Sequence, residues 1–109
     1  MATTHKKLGS GQLGTSAGNM YAPTVYGMVK TILLHNTGSD EQVVEIYFGT
    51  ASAAADKVLR VTLDGYETFE WTLQHMLVVD GTSSSGVKVT GKTTDPTTLN
   101  YFIFGAEEA

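Results

Sequence analysis

The chain has 109 residues, a mass of 11.6 kDa and a formal net charge of −4 at pH 7, which predicts a single domain with one buried core. The negative charge disfavours a nucleic-acid-binding protein, which needs a basic face, and the absence of cysteine rules out disulfides and thiolate metal sites. No apolar run is long enough to span a bilayer and none follows the N-terminal lysines, so neither a membrane partner nor a signal peptide is predicted.

The first 19 residues are rich in glycine, serine, threonine and alanine, and four glycines occur from Gly9 to Gly18. A segment of this composition has too little apolar surface to fold alone. We therefore predict that residues 1–19 are an extended N-terminal arm, either flexible or ordered by a partner. The stretch GSGQLG (9–14) has the glycine density of a phosphate-binding loop. No Gly-Lys-Ser/Thr follows it and no strand precedes it, so a phosphate cradle is not predicted.

Short β-type runs separated by turn residues begin at Met20. Residues 20–26 predict an edge strand because they contain Pro23. In residues 42–49, Val44, Ile46 and Phe48 fall on one face of an alternating strand. The remaining predicted strands are residues 28–36, 57–63, 66–73, 75–80, 86–92 and 99–105.

Two connections carry clear turn or loop signals. Asp64-Gly65 is a strong hairpin signal between strands 57–63 and 66–73, and residues 50–56 predict a loop with room for one helical turn. Because no long helical pattern occurs, we expect an all-β antiparallel β-sandwich or jelly roll of seven or eight short strands. This domain is expected to span residues 20–105, followed by an acidic tail at 106–109.

No residue cluster in the sequence predicts catalysis. The three histidines, at positions 5, 35 and 75, lack partners at metal-ligand spacing. Glu67 and Glu70 lie at odd spacing on one predicted strand, so their carboxylates point to opposite faces and do not form a glycosidase pair. The serines occur without a Gly-x-Ser-x-Gly nucleophile elbow. We therefore predict no enzyme, no cofactor and no metal site.

Apolar side chains occupy both faces of two predicted strands. Tyr47 lies on the face opposite Phe48, and Phe102 and Phe104 share one face of a strand whose other face is also apolar. A free sandwich wets one face of each sheet, so this pattern predicts a subunit interface. The alternative is that these are central strands covered by loops. The candidate interface aromatics are Tyr47, Phe102 and Phe104.

Two segments carry a family resemblance: LGSGQLGT (8–15) and KTILLHNTG (30–38). Together with the order of the runs that follow, they make the chain similar to the small β-sandwich virion structural proteins of tailed bacteriophages. Proteins of this kind serve as capsid decoration proteins, as head- or tail-attached components and as fibre modules. The resemblance implies a non-enzymatic structural protein located in the virion after synthesis in the host cytoplasm.

The same resemblance implies a function and partners. We expect a capsid decoration (cement) protein that stabilises the shell by binding across subunit seams. The alternative is a neck-, tail- or fibre-associated recognition module that binds host-surface glycan. The expected partners are further copies of the chain, in a homotrimer, and the major capsid protein or other virion proteins. Extended arms contact neighbours in such proteins, and the candidate contacts in this arm are Lys6, Lys7, Leu8, Leu13 and Met20.

Overall fold

A computed structural model describes residues 3–50, 53–82, 86–95 and 98–108. Within these ranges the chain forms eight β-strands and one short 3-10 helix, Ala54–Asp56. This helix lies in the loop predicted at 50–56, of which residues 51 and 52 fall outside the described ranges. The strands are β1 Thr3–Gln12, β2 Gly18–Tyr21, β3 Tyr26–Asn36, β4 Gln42–Gly49, β5 Lys57–Leu63, β6 Thr68–Asp80, β7 Lys88–Lys92 and β8 Leu99–Glu108.

The strands form two packed four-stranded sheets. Sheet A has the order β1-β8-β3-β6, and sheet B has the order β2-β7-β4-β5. Neighbouring strands are antiparallel in both sheets. This order is that of an eight-stranded jelly roll, in which the chain passes back and forth between the two sheets. The predicted all-β sandwich or jelly roll is therefore confirmed.

The core lies between the sheets and follows from strand alternation. Each of its large aliphatic side chains contributes roughly 1.5–3 kcal/mol when it leaves water. The indole of Trp71 packs against this core from β6. The inward faces of both sheets are thus occupied, which leaves the outward faces, the edge strands and the loops for recognition. Fully buried members of the core include Ile32, Leu34, Val44, Ile46 and Ile103.

The N-terminal segment differs from the expectation, because the extended arm is not confirmed. Strand β1 forms one edge of sheet A and pairs with β8 from Thr3↔Glu108 to Gln12↔Asn100. Beyond β1, Leu13 is only 4% exposed and its amide donates to the Leu99 carbonyl at 2.9 Å. The segment is ordered by a strand from the other end of the chain, so its low apolar content does not leave it unfolded.

The hairpin predicted at Asp64-Gly65 is wrong, because β5 pairs with β4 in sheet B whereas β6 pairs with β3 in sheet A. Several predicted boundaries also shift. The acidic tail expected at 106–109 continues β8 as far as Glu108, and residue 109 lies outside the described ranges. The two strands expected at 66–73 and 75–80 form the single strand β6. Its pairing with β3 is interrupted, because Val29 pairs with Leu77 whereas Thr31 pairs with Thr72. The strand expected at 20–26 is β2, which is an edge strand as predicted but ends at Tyr21.

Candidate functional site

The described residues offer little to support metal or membrane chemistry. Among them, no group of three or more His, Asp or Glu side chains could hold a metal ion. In the same part of the chain no helix has both the length and the apolar character needed to cross a membrane. The His35 ring lies at the outward side of sheet A, where Nδ1 is 2.7 Å from the Thr68 hydroxyl. Two surfaces remain as candidate sites, one on the outward face of each sheet.

The outward face of sheet A carries several large apolar side chains. Phe102 lies between the buried Tyr101 and Ile103, so alternation directs it outward, and it pairs with the outward Leu33 of β3. Phe104 follows the same alternation and is 40% exposed. These residues, together with Met28 and Val78, which pair with each other across β3 and β6, are called the apolar face: Met28, Leu33, Val78, Phe102 and Phe104.

Opposite charges border the apolar face at the two edges of sheet A. Lys7 of β1 is the cross-strand partner of Phe104, and Glu70 of β6 is the cross-strand partner of Leu33. Both side chains are exposed, and neither makes an ion pair with another described residue. The face therefore presents a cation, an apolar centre and an anion in order across the sheet.

A groove of about 430 Å³ lies where β1, β8 and β3 meet. It is formed where the ladder is irregular, since the register shifts at Leu8 in β1 and at Lys30 in β3. The Lys30 ammonium donates a hydrogen bond to the Leu73 carbonyl at 2.9 Å. This bond connects β3 to β6 at the place where the pairing of the two strands is interrupted. The groove is lined by Lys6, Lys7, Lys30, Thr31, Phe104 and Gly105.

The three candidate interface aromatics do not lie together. Phe102 and Phe104 belong to the apolar face of sheet A, whereas Tyr47 belongs to β4 in sheet B. Tyr47 is buried, its hydroxyl donates to Glu45 Oε1 at 3.2 Å, and the Lys57 ammonium lies 5.9 Å from its ring centroid. Tyr47 therefore offers almost no surface to a partner.

The residues proposed as arm contacts are mostly used within the chain itself. Leu13 and Met20 are buried in the core and Leu8 packs against it. Lys6 pairs with Glu107 of β8 at 2.7 Å. Lys7 keeps its ammonium group exposed at the edge of the apolar face. Of the five, Lys7 is thus the residue placed to meet a partner.

The Lys6–Glu107 pair continues to Tyr21 of β2, and this network ties the two sheets at one end of the sandwich. The Tyr21 hydroxyl donates to Glu107 Oε2 at 2.5 Å. The hydrogen bond from Lys6, followed by that from Tyr21, holds the pKa of Glu107 below its usual value. Burial of the Tyr21 hydroxyl, followed by its bond to Glu107, raises the pKa of Tyr21. Glu107 is therefore an ionised carboxylate at neutral pH and Tyr21 is a neutral donor.

The outward face of sheet B carries a cluster of charges around Glu45. Arg60 of β5 and Lys92 of β7 are its direct cross-strand partners on either side. Arg60 Nε and Lys92 Nζ lie 3.6 and 3.5 Å from the carboxylate, and Lys57 Nζ lies closer, at 2.6 Å. The hydrogen bond from Lys57 is the main cause that lowers the pKa of Glu45, so this carboxylate stays ionised.

A cleft of about 370 Å³ opens beside this cluster. Loops from two connections form its other walls, because Thr15 follows β1 and the pair Thr93 and Thr94 follows β7. The loop after β7 is held by Gln42, whose Oε1 accepts a hydrogen bond from the Thr93 hydroxyl at 2.9 Å and from the Thr94 hydroxyl at 3.0 Å. We call this the cationic cleft; its lining residues are Thr15, Val43, Glu45, Arg60, Lys92, Thr93 and Thr94.

Sequence reasoning did not identify the cationic cleft. Alternation places Glu45 and Arg60 on outward faces, where charges are expected in any exposed strand. It does not say that β7 and β5 flank β4, and only this order brings Lys92 and Arg60 to the same carboxylate. The sequence did show a charged residue in each of three predicted strands, namely Glu45 in β4, Arg60 in β5 and Lys92 in β7.

Comparisons with known proteins do not assign the chain to a family. No protein-family model matches it, and no match is found among curated proteins or solved structures. What the structure offers toward a function is therefore the jelly-roll fold and the two outward surfaces.

Proposed function

We propose that the chain is a non-enzymatic structural protein of a phage particle, a capsid decoration protein that binds across subunit seams of the shell. The observation that carries this proposal is the apolar face, where Phe104 is 40% exposed and Val78 is 52% exposed. Exposed large apolar side chains grouped on one sheet face of a small protein are typical of an interaction site. Jelly rolls are used as capsid domains, although the fold alone assigns no function.

The occupant of the apolar face is proposed to be the major capsid protein. Its docking patch would be apolar, with an acidic side chain opposite Lys7 and a basic one opposite Glu70. Pairing these two exposed charges with opposite charges fixes the orientation of the bound subunit more than it adds affinity. As in the resembled family, the bound form is proposed to be a homotrimer, so that one assembly reaches several shell subunits.

Binding to the shell explains stabilisation by mass action. A ligand that binds the folded shell and not its unfolded subunits stabilises the shell by about 2.7 kcal/mol per site when its free concentration is 100 times Kd. Many identical sites on one particle make this effect additive. A bound decoration protein therefore raises the melting temperature of the shell, and the rise depends on the concentration of free protein.

The proposal is tested with one substitution made at two positions. Val78→Ser alters the apolar face, whereas Val58→Ser alters an exposed valine of edge strand β5 in sheet B. Purified empty shells of the parent phage are heated with each variant, and shell melting is followed by light scattering. We expect the wild type and Val58→Ser to raise the melting temperature equally, and Val78→Ser to need about tenfold more protein for the same rise.

Two results would oppose this assignment. If the wild-type protein fails to alter shell melting at saturating concentration, the decoration function is wrong. If Val78→Ser and Val58→Ser act alike, the protein binds shells through a surface other than the apolar face. Circular dichroism of both variants shows that the comparison is made between folded proteins.

A further inference from the structure

The outward face of sheet B holds more positive charge than its own carboxylate neutralises. Three of the seven Lys and Arg residues of the chain, namely Lys57, Arg60 and Lys92, surround Glu45. The cluster therefore carries a local excess of two positive charges in a protein whose net charge is −4. We propose that the cationic cleft binds an oxyanion, a carboxylate or phosphate group carried by a small polar molecule, between Arg60 and Lys92. This inference is independent of the decoration function.

The distances within the cluster leave two cations with unused donors. Lys57 makes the short contact with Glu45, at 2.6 Å. Arg60 and Lys92 lie at 3.6 and 3.5 Å, which is longer than the roughly 2.7–3.2 Å of a well-formed N–H···O bond. Their N–H groups are therefore largely available to another acceptor. A guanidinium presents several donors in a planar fork that suits a carboxylate or a phosphate.

The order of the strands places Arg60 and Lys92 on either side of Glu45, so an oxyanion bound above Glu45 would lie between the two cations. β5 and β7 flank β4, so the backbones that carry Arg60 and Lys92 lie roughly 10 Å apart. Both side chains extend toward the Glu45 carboxylate on the outward face, and they remain substantially exposed, at 61% for Arg60 and 41% for Lys92. An oxyanion above Glu45 contacts both cations, and its attraction to them offsets the positive charge that a single carboxylate leaves in excess.

The walls of the cleft indicate the size and polarity of the ligand. A volume of about 370 Å³ lies within the range of small-molecule sites and exceeds what a bare phosphate fills. Val43 supplies an apolar floor. Thr15 supplies a hydroxyl that makes no hydrogen bond with another described residue. The oxyanion is thus expected to be part of a larger polar molecule, such as a sugar acid or a sugar phosphate.

The carboxylates near the cleft do not cancel this field. Glu45 is already committed to Lys57 and to the Tyr47 hydroxyl. Asp95 follows the cleft loop, but its Oδ2 accepts a hydrogen bond from Gln42 Nε2 at 2.9 Å and it does not line the cleft. The lining donors that can meet a bound anion are therefore Arg60, Lys92 and the Thr15 hydroxyl, since the Thr93 and Thr94 hydroxyls donate to Gln42.

The test is an NMR titration of the full chain, labelled with nitrogen-15, at low ionic strength. The probes are inorganic phosphate, glucuronate and, as the uncharged control, glucose. We expect saturable shifts of the amides of Val43, Arg60 and Lys92 with at least one of the two anions and none with glucose. Which anion binds more tightly distinguishes a phosphate-bearing from a carboxylate-bearing ligand.

Matched variants separate a binding site from a purely structural cluster. Arg60→Gln and Lys92→Gln are each expected to weaken anion binding at least about tenfold. Lys88→Gln removes the same charge from the same strand away from the cleft, so affinity should stay near that of the wild type. The proposal is overturned if neither anion gives saturable shifts at these amides, or if all three variants bind equally well.

Discussion

Replacing Leu13 tests whether the opening segment is part of the folded domain. If residues 1–19 were a flexible arm, Leu13 would be exposed in the free protein and its truncation would have little effect on stability. In the structure Leu13 belongs to the core cluster, and its amide is bonded to the Leu99 carbonyl at 2.9 Å. Leu13→Ala therefore removes buried apolar atoms and leaves a cavity between the sheets.

The size of the effect follows from the burial of this side chain. A Leu→Ala change in a core costs about 2–5 kcal/mol, depending on how far the neighbours relax. Leu13 and Met20 both pack over Gly91, and a flexible methionine fills part of such a gap. We therefore expect a loss of about 2–3 kcal/mol in the free energy of unfolding. For a domain of this size the corresponding fall in Tm is about 10 °C or more.

Urea denaturation followed by the fluorescence of Trp71, the one tryptophan of the chain, measures this loss. Thermal unfolding followed by circular dichroism gives the change in Tm. Ser16→Ala is the control, because Ser16 is exposed in the loop after β1 and its truncation should fall within about 0.5 kcal/mol of the wild type. If Leu13→Ala also falls within that range, the segment does not pack as the structure places it.

Three further predictions concern single contacts, each read by urea denaturation. Gly105→Ala should cost more than about 2 kcal/mol, because the new Cβ would collide with the Met28 carbonyl oxygen; Gly18→Ala, with nothing within 4 Å of its Cβ, is the control that should show no loss. Gln42→Ala should cost about 2–3 kcal/mol, because the buried amide oxygen accepts three hydrogen bonds, and an unchanged stability would contradict that network. Glu107→Gln should destabilise the protein at neutral pH. The folded-state pKa of Glu107 lies below the unfolded value of about 4.3, so its contribution is present above that pH and is lost as the pH falls through the folded-state pKa; a wild-type advantage that persists in acid would refute the assignment.

Local sequence patterns predicted the middle of the chain well. Strands 42–49 and 57–63 have the bounds of β4 and β5, since each alternates clearly. The break between the strands expected at 66–73 and 75–80 corresponds to the interrupted pairing within β6. These features are encoded by neighbouring residues, so reading the sequence alone was sufficient. The turn at Asp64-Gly65 was read wrongly as a hairpin, because it connects strands of different sheets.

Features that depend on distant partners could not be predicted in the same way. Strand β1 has few apolar residues of its own and is ordered by β8, which lies at the far end of the chain. Its glycines allow close packing, since a Cβ at Gly9 would lie 3.0 Å from the Met20 carbonyl oxygen. Composition alone therefore described a folded edge strand as an arm.

The apolar face and the cationic cleft show the same contrast between what neighbouring residues determine and what distant strands determine. Alternation placed Phe102 and Phe104 on one face of their strand, and in the structure that face points away from the core. It also directed Tyr47 outward, but this ring is buried, with Lys57 above it and its hydroxyl bonded to Glu45. Which strands are neighbours, and hence which charges meet, is a property of the topology and not of any one strand.

The proposed decoration function is best tested by saturation binding to purified empty phage shells. The amount of protein that sediments with the shells is measured at increasing concentrations and compared with the amount of capsid protein. We expect saturation at a fixed ratio of bound chain to capsid subunit, with affinity reduced by Val78→Ser and unchanged by Val58→Ser. Absence of binding at saturating concentration, or binding with no fixed ratio, would contradict it.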